Sequence, residues 1–161
     1  MARRSRARDV ALQLLYELDR NEVVPDDRDR EFVASRLRGE SLRQFALELV
    51  TGVRTKRQQL DELIGGAAQN WSLGRMTPVD RSILRLATFE MLFSADTPPK
   101  VAIDEAIELA KRFGTADSPR FVNGILDRIV TTHPRPVQQE ENSIAPPATS
   151  PPTDQAGVSA S

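Results

Sequence analysis

Between Val79 and Phe93 the chain is apolar on most sides of a helix, through Val79, Ile83, Leu84, Leu86, Ala87, Phe89, Met91, Leu92 and Phe93. A helix wet on so little of its surface belongs in the middle of a bundle. Its start is marked by Thr77-Pro78-Val79-Asp80, with Thr as N-cap, Pro at the first helical position and Asp two residues on. The few polar residues of the stretch, Asp80, Arg81, Arg85 and Glu90, must pair with a neighbouring helix or face a partner.

Amphipathic stripes surround this segment. Ala7, Val10, Ala11, Leu14, Leu15 and Leu18 recur at helical spacing, as do Leu42, Phe45, Ala46, Leu49, Val50 and Val53. Shorter stripes run through Leu60, Leu63, Ile64 and Ala67, through Ile103, Ala106, Ile107 and Ala110, and through Phe121, Val122, Ile125, Leu126 and Ile129. Asn21 to Arg30 is polar with Pro25 and reads as a loop, followed by a short helix from Glu31 to Arg38 around Phe32, Val33 and Leu37. Gly114 is expected to stop one helix in the left-handed conformation, and Ser118-Pro119 to cap and open the next. No window alternates as a strand does. The expectation is an all-α chain of about seven helices in two packed subdomains, 1–70 and 71–132, broken near Gln69 to Gly74. The segment 133–161 holds six of the eleven prolines; it cannot bury enough apolar area to offset its ordering entropy and is expected to be disordered.

The 22 basic and 23 acidic residues nearly cancel, so overall charge excludes little, but charge is segregated. The N-terminal run Arg3, Arg4, Arg6, Arg8 is cationic, whereas Glu140, Glu141 and Asp154 outnumber Arg135 in the tail. With no Cys and one His (His133), neither a thiolate nucleophile nor a Cys- or His-based metal site is expected. Neither nucleotide-binding glycine fingerprint is present, and no nucleophile-base set can be assembled. The reading is a non-catalytic binding protein without cofactor or metal. Lacking an apolar leader or a membrane span, it is expected to be soluble and cytoplasmic.

Two places invite a ligand. Four arginines at the start of a helix oppose its dipole by roughly 0.3–1 kcal/mol each when exposed. They are either a frayed, solvated run or an arm for phosphates, which counterion release would favour. The second place is the junction after Ala110, where Phe113 and Phe121 flank Lys111, Arg112, Asp117 and Arg120, with Asn123 just beyond. Both Phe residues are core with a charged rim, or they form a stacking surface for unpaired bases. Trp71, the only Trp, reads as a hydrophobic plug between helical segments.

Three blocks carry a family resemblance. Arg4 to Tyr16 (RSRARDVALQLLY), Val79 to Ala87 (VDRSILRLA) and Pro98 to Asp127 (containing KVAIDEAIELAKRFG and FVNGILD) resemble the NusB family of transcription antitermination factors, in order and with compatible spacing. The resemblance implies an all-helical protein that binds boxA-type RNA of nascent ribosomal RNA transcripts. It implies action with NusE, a small-subunit ribosomal protein, in an RNA polymerase complex, as monomer or homodimer. It assigns Arg3, Arg4, Arg6 and Arg8 to an RNA-binding arm. Phe113, Asp117, Arg120 and Phe121 fall in an RNA-contacting loop, with Lys111 and Asn123 beside it. Tyr16, Asp80, Arg81 and Glu90 fall where the protein partner is expected. The same module resembles the RNA-binding part of ribosomal RNA cytosine methyltransferases, but those need a catalytic domain and a Cys that this chain lacks. A helical adaptor that meets only protein is a further alternative, distinguished by the absence of salt-dependent RNA affinity.

Overall fold

The computed structural model describes residues 3–20, 26–69 and 71–134. Among them lie seven α-helices and no strand: α1 (Arg3–Arg20), α2 (Asp26–Arg36), α3 (Glu40–Thr55), α4 (Arg57–Ala67), α5 (Pro78–Phe93), α6 (Pro99–Phe113) and α7 (Ser118–Thr132), with a 3-10 turn at Leu73–Arg75. The segments expected as a loop at 21–25 and as a disordered tail beyond 134 lie outside the described residues.

α5 is the spine. Thr77 accepts a hydrogen bond from the Asp80 N–H at 3.2 Å, and Pro78 occupies the first turn as its sequence requires. The helix packs against α1, α3, α4, α6 and α7, and Ile83, Leu84, Leu86 and Met91 are fully enclosed. Burial of each such side chain is worth about 1.5–3 kcal/mol. Around it the inner stripes of α1, α3, α4, α6 and α7 join in one continuous apolar cluster. α3 comes close to α5 at Gly52, where a Cβ would fall 2.1 Å from the tip of the Phe89 ring.

Three local expectations are corrected. α2 begins at Asp26, not Glu31, because the acidic run that reads as loop suits a helix N-terminus, and Asp29 is buried against Arg54 of α3. Gly114 is not left-handed (φ −93°, ψ −168°); a Cβ there would lie 2.5 Å from the Ser118 side chain and 2.8 Å from the Ala110 carbonyl, so contact and not dihedral requires glycine. α7 is entered from Asp117, with Ser118 and Pro119 already helical, while the Ser118 hydroxyl accepts from the Thr115 N–H at 2.9 Å and closes the α6–α7 turn.

Candidate nucleic-acid interface

The first turns of α1 divide their arginines by direction. Arg3, Arg4 and Arg6 are exposed, and the Arg4 guanidinium stacks over the Phe45 ring of α3, 4.7 Å from its centroid. Arg8 does not join them. It is only 3% exposed and donates from Nε and Nη2 to both carboxylate oxygens of Glu90, at 2.8 and 2.9 Å. Glu90 is itself 2% exposed. α1 crosses α5 there, so the fourth arginine of the expected arm and one expected partner residue neutralise each other inside the molecule. Ser5, also buried, donates to Glu105 of α6 at 2.8 Å and fixes the arm's rotation.

The α6–α7 turn carries the second group. Phe113 is 38% exposed, Asp117 and Arg120 are exposed, and Phe121 and Asn123 are half-buried. Lys111 is an outward residue paired with Glu108 at 3.1 Å. Arg112 reaches across to the buried Asp9 of α1, locking the end of α6 to α1. Asp9 lies about 7–8 Å along the helix from Arg4 at 1.5 Å per residue, so this ion pair ties the turn to the helix that carries the arm.

Trp71 is not a plug. It is 52% exposed and stands edge-on to Phe121, with centroids 6.2 Å apart and planes at 76°. The missed signal was its setting: a single indole between Gln69 and the short Leu73–Arg75 turn belongs to no apolar stripe that would bury it. Phe45 belongs to the apolar stripe of α3, yet the face of its half-buried ring carries Arg4.

On the opposite part of α1, Tyr16 is half-buried and Asp19, one turn further on, is surrounded by arginines. Arg57, Arg81 and Arg85 approach it at 3.0, 2.6 and 3.0 Å, and Arg85 also holds Asp61 of α4 at 2.7 Å. Burial alone would raise the Asp19 carboxyl, but hydrogen bonds from Arg81 and Arg85 outweigh it and hold the group below its ordinary value of 3.8. Burial also works against the Arg85 charge, which Asp61 and Asp19 more than restore. Arg81 further donates to the Leu73 carbonyl at 2.9 Å, so much of its guanidinium is committed internally. Asp80 is buried, with Oδ1 lacking a hydrogen-bond partner among the described residues. Tyr16, Asp80 and Arg81 therefore share one end of the α1–α5 seam. Glu90, nine residues along α5 and about 14 Å away at helical rise, does not.

Among the described residues no group of three or more His, Asp or Glu side chains is placed to hold a metal ion, and no helix is long and apolar enough to cross a membrane. The surface can offer aromatic edges and faces, guanidinium groups and the exposed Asp117 carboxylate. That is a chemistry of recognition.

The sequence and the fold both have close counterparts. A model of the NusB family matches residues 5–131. A transcription antitermination protein NusB of Geobacter sulfurreducens is 47% identical over 142 residues, covering 83% of this chain and 98% of its own length. A crystal form of NusB from T. maritima aligns with a TM-score of 0.70 at 38% identity, over 83% of this chain and 93% of that one. A structure of the antitermination factors NusB and NusE in complex with double-stranded RNA aligns with a TM-score of 0.74 at 26% identity, over 83% and 99% of the two chains.

Proposed function

Because this chain belongs to the NusB family, we propose that it works as a non-catalytic transcription antitermination protein, gripping boxA-type RNA of nascent ribosomal RNA transcripts beside NusE in an RNA polymerase complex in the cytoplasm. The observation that carries the reading is the Trp71–Phe121 pair, a half-exposed indole against a half-buried ring beside the exposed Arg120, on a bundle whose first helix holds out Arg3, Arg4 and Arg6. Unstacked bases lie against such rings, and the arginines take the phosphates. Phe113 extends the aromatic surface, while Asp117 and Asn123 offer groups to base edges and Lys111 remains at its margin. Tyr16, Asp80 and Arg81 are assigned to the protein partner. The two helical halves, before and after residue 70, divide the work: the first supplies the arm and the second the aromatic turn.

The test is a gel shift with boxA-like and scrambled RNA, with and without NusE. The wild-type chain is expected to prefer the boxA-like RNA and to bind it more tightly with the partner. Trp71→Ala/Phe121→Ala should lose about 30-fold or more, from about 1–3 kcal/mol for each of the two lost stacking contacts. Equal, salt-independent affinity for both RNAs, unaffected by these substitutions, would leave only the protein-adaptor reading.

A further inference from the structure

Beside the arm is a cationic groove of which the RNA-binding assignment above uses only one wall, Arg3 and Arg6. An open groove of about 530 Å³ separates the first turn of α1 from the α2–α3 connection. Arg3 and Arg6 form one wall, Arg36 and Arg38 the other, and Leu42 lies between them. All four arginines are exposed, and none is paired with a carboxylate among the described residues. Arg8, Arg54, Arg57, Arg81, Arg85 and Arg112, by contrast, are each held by an acidic partner. With a formal net charge of −1, the chain is not generally basic, so four uncompensated cations around one concavity are a local arrangement.

The groove is also built. Arg43 donates to the carbonyls of Leu37 and Ala34, at 2.8 and 3.3 Å, and pins the connection from below. Gly39 takes the turn at φ 97°, where a side chain would be strained. Arg36 is steadied over the Phe32 ring at 3.6 Å and by the Ser35 hydroxyl at 2.9 Å, neither of which neutralises it. Glu40, the nearest acid in sequence, lines the neighbouring groove with Arg43 instead.

Guanidinium forks on opposing walls suit phosphate oxygens. Nothing here suits a base: Phe32, the aromatic ring beside these arginines, is already covered by Arg36. We propose that this groove carries the phosphate backbone of RNA flanking the recognition element, without regard to its sequence, so that the footprint extends past the segment held at the aromatic turn. The proposal rests on the RNA-binding reading above. Its new content is the role of Arg36 and Arg38, in a region where the sequence offers no diagnostic motif.

The test uses the full chain, alone and with NusE, and two labelled RNAs: a short boxA-like RNA, and the same RNA extended at either end by about a dozen uridines. For the wild type, an extension at one end should tighten binding about tenfold in dilute salt. It should also steepen the log–log salt dependence by about 1.4, from roughly 0.7 for each of two further phosphates. Arg36→Gln/Arg38→Gln, shown to be folded by its helical circular dichroism, should lose that gain yet bind the short RNA as the wild type does. Arg36→Lys/Arg38→Lys should keep most of the salt slope. Retention of the full gain by the Gln variant, or equal losses on both RNAs, overturns the groove while leaving the RNA-binding reading intact. Displacement of the extension by polyglutamate as readily as by polyuridine also overturns it. Failure of the wild type to bind either RNA defeats both.

Discussion

Removing the Glu90 carboxylate would leave the enclosed Arg8 guanidinium only the more distant Glu105 carboxylate, at 3.8 Å, as counter-charge. Breaking one side of a buried pair costs about 3–5 kcal/mol, whereas replacing both sides with apolar groups is often neutral or stabilising. Glu90→Gln is therefore expected to lower unfolding stability by roughly that amount, and Arg8→Met/Glu90→Leu to recover most of it, as read by urea titration. RNA affinity of the folded double variant should stay near wild type, because neither side chain reaches solvent. A double variant that is stable but has lost RNA binding would return Arg8 to the arm. The residue scale is also where the sequence was least legible. Arg3, Arg4, Arg6 and Arg8 look alike in a string, and only the crossing of α1 over α5 turns the last of them inward. Trp71 was misjudged for the complementary reason: hydrophobicity favours burial, but burial needs a packed neighbour on every side, and a short turn supplies one.

Elements were far easier to read, because helical period and end signals are local. The start of α5 at Thr77-Pro78 and the stripes of α1, α3 and α7 are recovered as the sequence places them, whereas the core face of α6 runs through Ala102, Ala106, Leu109 and Ala110 and leaves Ile107 out. The boundaries that moved depend on something distant: α2 is longer because Asp29 finds Arg54, and the α6–α7 turn is set by the Gly114–Ser118 contact. Gly52 belongs to the same class. In an isolated helix Ala would be favoured over Gly by about 1 kcal/mol, yet here its methyl group would meet the Phe89 ring. Gly52→Ala is expected to destabilise the protein by a net of about 1–3 kcal/mol as α3 and α5 are forced apart. Thermal unfolding of Gly52→Ala, alone and with Phe89→Leu to open space, checks this. A gain in stability for the single variant would mean that the ring turns aside freely.

At the scale of the whole molecule, α1, α4 and α5 are joined at one end by Asp19, Asp61 and their arginines, and this sets the response to acid. The folded-state value of Asp19 lies below its ordinary one, so its contribution is present above that ordinary value and is lost as pH falls through the folded value. The melting temperature should therefore fall below about pH 4 in part through this group. Asp19→Asn is expected to be less stable at neutral pH, with a smaller further loss between neutral and acidic solution. An unchanged acid profile would show that other carboxylates govern it. Global arrangement was legible as far as a helical bundle around α5; the ionic joints were not, since pairs such as Asp19–Arg81, 62 residues apart, leave no periodic trace.

The half-exposed setting of Trp71 has a practical corollary. As the chain's sole indole, it confines the protein's indole emission to a single address at the proposed site of contact with RNA. The native molecule thus carries its own optical beacon there, with no dye attached.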